Sequence, residues 1–134
     1  MQQTAELGSD WWNDSNDHVE LQHAFEEGAV GATSNPVITL NSVKSHPDVW
    51  TPVIDNMIEK NHSASEDEIL WLLIDKVGER AAKILLPVYE KSNGEKGKLS
   101  LQVNPKYYRN ADAMFEQGKY LASLAPNIAI KCPA

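Results

Sequence analysis

Residues 98–103 read Lys-Leu-Ser-Leu-Gln-Val, and this alternation constrains the fold more than any other stretch of the chain. Successive side chains of a strand point to opposite faces. Leu99, Leu101 and Val103 therefore share one face, and Ser100 and Gln102 share the other. Residues 128–131 behave the same way, with Ile128 and Ile130 on one side and Ala129 and Lys131 on the other. Between the strands the apolar spacing turns helical, so each connection is a crossover rather than a hairpin. Such connections give a parallel sheet with helices packed outside it. An open sheet covered on both faces would need apolar residues on both. Here one face is polar, which suits the inside of a small barrel. No glycine-rich dinucleotide fingerprint follows any strand, which counts against an open nucleotide-binding sheet.

The other elements follow from local signals. Ser9–Ser15, with two tryptophans, predicts a first strand. Asn16 or Asp17 offers an N-cap for a helix through Val19, Leu21, Phe25 and Glu27, closed by Gly28. Ala29–Ser34 is a second strand, ended by Asn35-Pro36, because the residue before proline is pushed out of helical space. Helices are predicted from Val37 to about Ser45 and from Pro47 to about Asn61. Ser65 with Glu68 matches a capping box, and the long helix behind it is expected to end near Pro87-Val88-Tyr89. Ser92–Gly97 is a loop, and a helix from about Asn110 to Leu124 leads into the last strand.

Composition narrows the function classes. A chain of 134 residues fits a single modest domain. Its net charge of −7, with no basic patch, argues against a nucleic-acid or anionic-membrane surface. One cysteine, Cys132, excludes an internal disulfide framework and fits a reducing cytoplasm. Met1–Glu6 lacks the basic and apolar blocks of a signal peptide, and no apolar run reaches membrane-spanning length.

In a parallel α/β barrel the chemistry gathers at the carboxyl ends of the strands. Here those ends supply Asp14, Asn35, Gln102 and Lys131. A lysine ending a strand behind the small Ala129 is the residue type that a Schiff-base nucleophile needs. Together the four can run carbonyl chemistry: Lys131 attacks a ketone, Asp14 moves protons, and the two amides hold substrate hydroxyls. Each also has a purely structural reading. Asp14 could cap a helix, Asn35 could brace the turn before Pro36, Gln102 could fill a polar layer, and Lys131 could be a solvated strand end. His18, His23, His46 and His62 show no metal-ligand spacing and are read as surface residues, so no metal site is expected. Cys132 is read as a buried thiol, because no histidine is placed to activate it.

Four segments together resemble the transaldolase family of class I, Schiff-base-forming sugar aldolases: Trp12-Asn13-Asp14-Ser15, Ala32-Thr33-Ser34-Asn35-Pro36, Leu99-Ser100-Leu101-Gln102-Val103-Asn104-Pro105 and Ile130-Lys131-Cys132-Pro133-Ala134. They are similar, in order and spacing, to the ends of barrel strands one to four. The resemblance implies an N-terminal half of a TIM (β/α)8 barrel. It also implies transfer of a dihydroxyacetone unit between sugar phosphates in the pentose phosphate pathway. On that likeness Lys131 would form the Schiff base, and Asp14 would take the proton of the hydroxyl beside the breaking bond. Asn35, with Thr33 and Ser34, would bind substrate. The iminium would be the electron sink, so no cofactor is needed.

The chain departs from the family pattern twice. The third strand of most members carries a glutamate where this chain has Gln102, which cannot ionise; the short fructose-6-phosphate aldolase branch is similar in carrying glutamine there, and takes its proton shuttle from a tyrosine on a later strand. The chain also stops three residues past Lys131, whereas an eight-stranded barrel needs about 250 residues. The expectation is one partial barrel domain over 1–134, a fragment truncated after its fourth strand. Its alternative is a non-catalytic half-barrel that binds sugar phosphate or a partner chain, with a homodimer as one way to close the sheet. A lysine-dependent aldolase of another barrel family is a third reading.

Overall fold

The computed structural model describes residues 7–133. The N-terminal segment Met1–Glu6 and the final Ala134 lie outside the described residues. Four strands form one parallel sheet in chain order: β1 (Trp12–Asn13), β2 (Gly31–Thr33), β3 (Lys98–Gln102) and β4 (Ile128–Lys131). The helices between them are α1 (His18–Glu26), α2 (Pro36–Ser45), α3 (Pro47–Lys60), α4 (Glu66–Lys91) and α5 (Ala111–Ser123), with a 3-10 turn at Pro105–Tyr107. Among the described residues no helix is long and apolar enough to cross a membrane.

The register sorts the side chains as the alternation requires. Ala32 pairs with Leu99, Leu99 with Ile128, and Leu101 with Ile130. These residues face the helices. Ala32, Leu99, Leu101 and Val103 are fully buried with Leu21 of α1, Ala81, Ala82 and Leu85 of α4, and Leu121 of α5. Small residues let α4 lie close to the sheet: a Cβ at Gly78 would stand 2.9 Å from the side chain of Leu101. A second cluster, Val43, Trp50, Leu73 and Val77, joins α2 and α3 to the far side of α4. Thr33 pairs with Ser100, Ser100 with Ala129, and Gln102 with Lys131, on the opposite face.

Local chemistry sets the element ends. Asp17, rather than Asn16, caps α1, and Gly28 follows it at φ 97°. The capping box at Ser65 and Glu68 is formed in both directions. Three boundaries differ from expectation, and one is β2, which spans Gly31–Thr33 rather than Ala29–Ser34. The first strand is only Trp12–Asn13, paired with Gly31 and Ala32, and it leaves the ladder at Asp14 before Thr33 of β2 is matched. Helix α4 runs through Pro87 to Lys91. A proline removes one amide bond and crowds the preceding turn. Pro87 and Lys83 are both on the exposed side, so water can take up the freed carbonyl. Gly97, in the turn before β3, has φ 74°, and a Cβ there would collide with the backbone of Tyr89.

One buried carboxylate sits outside this scheme. Asp75 of α4 accepts a hydrogen bond from the Tyr120 hydroxyl of α5 at 2.9 Å. Burial pushes Asp75 up to about 6, against the pull of that hydrogen bond, and pushes Tyr120 up to about 12. The folded state therefore holds its proton to a higher pH than the unfolded chain, which releases it near 3.8. The stabilising contribution is complete below that lower value and is lost as pH rises through about 6. Asp75→Asn keeps an acceptor for Tyr120 and removes the buried charge. In urea unfolding we expect it to stabilise the chain by about 1–3 kcal/mol near neutral pH. The gain should shrink towards zero near pH 4; a pH-independent difference would contradict this assignment.

Candidate active site

Lys131 is the last residue of β4 and lies on the face turned away from the helices. Its neighbour on β3 is Gln102, which is half-buried. The Lys131 amine reaches the Thr33 Oγ1 of β2 at 3.4 Å. That contact passes over β3 entirely, spanning two strand spacings of about 4.8 Å each. A lysine can make it only if the sheet is concave on this side. The polar face is thus an inner surface, as the first turn of a barrel wall would be.

Asn35 follows β2 and caps α2: its Oδ1 accepts from the amides of Val37 and Ile38, both at 2.9 Å. This fixes the carboxamide with its oxygen spent, leaving Nδ2 as a donor with no partner among the described residues. Ser34 is buried and turned the other way. Its amide and its hydroxyl both donate to the carbonyl of Ser100, at 3.0 and 3.2 Å, so it ties the end of β2 to β3.

Asp14 comes directly after β1, at the same pole of the sheet as Lys131 but on the opposite edge. It is exposed and makes no ion pair with Lys131 among the described residues. It borders a cleft of about 460 Å³ between α1 and α2, with Ser15, Asp17, Glu20, Ser42 and His46. The corner that carries it is firmly held. Asn16 is 2% exposed, donates to Thr39 Oγ1 at 2.8 Å and accepts from Ser42 Oγ at 2.9 Å.

Three residues fall elsewhere than the sequence suggested. Cys132 is exposed, because the strand ends at Lys131 and the next residue leaves the sheet. His18 and His46 are half-buried rather than superficial, and their rings stand 4.6 Å apart. Burial, and then the nearby Arg80 guanidinium, holds His18 below the usual imidazole range. Nothing local marks this pair, since the two lie on different elements and only the packing of α1 on the α2–α3 junction brings them together.

A curved parallel sheet, helices on its convex side and a lysine on its concave face at the strand ends define half of a TIM-barrel protein with a strand-end amine. The family model described as Transaldolase/Fructose-6-phosphate aldolase matches residues 11–134, and the chain belongs to this transaldolase family. It is 31% identical over 107 residues to Transaldolase 1 of Streptomyces avermitilis, covering 78% of this chain and 28% of that protein. It is also 28% identical over 142 residues to the transaldolase of Thermobifida fusca, covering 100% and 38%. For the transaldolase of Thiobacillus denitrificans the identity is 27% over 135 residues, covering 95% and 37%. The chain thus spans between about a quarter and two-fifths of the length of these relatives.

The cap at Asn35 allows its two roles to be separated. Asn35→Ala is expected to cost about 1 kcal/mol in urea unfolding, as N-cap losses do. Asn35→Asp keeps the accepting oxygen and should stay within about 0.5 kcal/mol. A large loss in both variants would place the contribution of Asn35 outside the cap.

Proposed function

We propose that this chain supplies the Schiff-base half of a transaldolase-type transferase acting on sugar phosphates. The observation that carries the reading is the Lys131 amine on the concave face, between Gln102 and Thr33. In the proposed reaction Lys131 Nζ adds to the ketone carbon of a ketose phosphate. The carbinolamine loses water and leaves an iminium. Asp14 takes the proton of the hydroxyl beside the bond to be broken, that bond cleaves, and its electron pair moves onto the iminium to give an enamine. The freed aldose leaves. An acceptor aldose then takes up the three-carbon unit by the reverse steps, and water releases the product from Lys131.

The other strand-end groups have supporting roles in this reading. Thr33, as the polar neighbour of the amine, holds Nζ towards the cavity. Asn35 Nδ2 is free to donate to substrate hydroxyls, while Ser34 keeps both in place through the Ser100 carbonyl. Gln102 beside the amine can hold a water but cannot accept a proton as a carboxylate would. Proton relay in the Schiff-base steps therefore falls to another group in the protein that carries this chain. The pentose phosphate pathway and the cytoplasm are the proposed setting; the single cysteine of the chain agrees with a reducing compartment.

A second reading, a non-catalytic half-barrel held against a partner chain, is favoured by one surface. Met114, Phe115, Gly118, Ala122 and Ile130 line an almost wholly apolar hollow of about 450 Å³ beside the free edge of β4. It predicts a soluble dimer in light scattering, and an aggregated or unfolded chain counts against it.

Borohydride reduction with fructose 6-phosphate, followed by peptide mapping, tests the enzymatic reading on the protein that carries this chain. Label is expected on Lys131 and should vanish in Lys131→Met. Asp14→Ala should still be trapped, while transfer falls by about 10²–10⁴-fold. Label on any other lysine would refute the assignment.

A further inference from the structure

We propose that Asp17, His18 and His46 form a binding site for a divalent transition-metal ion of the zinc class. The three side chains each offer one ligand atom, and those atoms all lie within 4.8 Å of one another. They come from two places in the chain. His18 is the first residue of α1, Asp17 is its N-cap, and His46 is the junction at which α2 ends and α3 begins.

The carboxylate of Asp17 is divided between two tasks. Its Oδ1 accepts the amides of Val19 and Glu20, both at 3.0 Å, which fixes the group against rotation. Its Oδ2 is turned away from the helix and lies 2.8 Å from His46 Nε2. That approach is not aligned as a hydrogen bond, so Oδ2 is buried without a donated proton. The side chain of Asp17 is only 10% exposed. His18 Nδ1 is likewise buried without a partner among the described residues. An anionic oxygen and an imidazole nitrogen, both desolvated and unsatisfied side by side, leave a deficit that a cation would fill.

The donor set selects the kind of ion. Two imidazoles and one carboxylate suit Zn²⁺ and its neighbours, whereas Mg²⁺ and Ca²⁺ prefer oxygen alone. Three protein ligands with bonds of about 2.0–2.1 Å leave a fourth tetrahedral position, and two of the three, Asp17 and His46, line the cleft that also borders Asp14. Bonds of that length put ligand atoms about 3.4 Å apart. Asp17 and His46, 2.8 Å apart, must therefore part slightly and His18 must move inward for an ion to seat. Asp48, in the first turn of α3, adds negative charge near the site, and Arg80 opposes it. A bound ion would link the start of α1 to the α2–α3 junction and brace the corner that presents Asp14.

Titration of the untagged, chelator-treated chain with Co²⁺ tests this directly. The expected result is visible ligand-field absorption of the tetrahedral kind, saturating at one ion per chain and displaced by Zn²⁺ but not by Mg²⁺. His18→Ala and His46→Ala should each weaken binding at least about tenfold. His23→Ala and His62→Ala, at exposed positions, should leave it unchanged. If His46→Ala fails to fold, the wild-type spectrum and His18→Ala still decide. Absence of the absorption, retention of it in His18→Ala, or its loss in His23→Ala or His62→Ala would overturn the site.

Discussion

Lys131 stands where it does because of a buried amide earlier on the same strand approach. Asn127 is 1% exposed, and its Nδ2 donates to the carbonyls of Ala82 in α4 and Gly97 before β3, at 2.8 and 2.9 Å. Its own carbonyl accepts from Leu99 at 2.9 Å. One residue thus joins the start of β4 to the start of β3 and to the helix covering both. A slip of one position would orphan a buried amide, at a cost of about 1–3 kcal/mol, and would turn every side chain of β4 over. Lys131 would then be driven into the helix layer and Ile130 would face the cavity. Placement of the amine and burial of Ile128 and Ile130 are consequences of the same register.

The other end of the sheet is handled by the same kind of device. Apolar burial is non-directional and roughly proportional to area, so it cannot choose between neighbouring registers. The buried trio Asn16, Thr39 and Ser42 supplies direction at the β1–α1 corner, much as Asn127 does at β4. After β3 the backbone N–H of Asn104 donates to Gln117 Oε1 of α5 at 2.6 Å, while the buried Asn104 side chain accepts from the Lys106 amide at 3.0 Å. Buried polar residues thus adjoin the strand ends that bear Asp14 and Gln102, and one stands at the start of the strand that ends in Lys131. The amides that a hydropathy reading would count as misplaced are the ones that aim the site.

Much of this was legible in the sequence, and the reason is parity. Leu99-Ser100-Leu101-Gln102 and Ile128-Ala129-Ile130-Lys131 each announce their faces, and strict alternation leaves one way to pair them with the apolar side covered. Two helices were readable from caps, Asp17 (offered with Asn16) and Ser65, whereas Asn35, read only as bracing the turn before Pro36, proves to cap α2. What could not be read depends on contacts between distant segments. His18 and His46 meet only once α1 lies on the α2–α3 junction, and Asp75 finds Tyr120 only across the α4–α5 interface. Pro87 misleads in the opposite sense: its cost to a helix is real, but exposure lets solvent absorb it.

The pairing of Trp12 with Gly31 bears on the shape of the inner surface. A Cβ at Gly31 would stand 2.6 Å from the indole of Trp12, so the ring lies flat across the backbone of β2. It occupies the level of the sheet below Thr33 and Lys131. A molecule descending from the amine would meet an aromatic plate rather than open solvent.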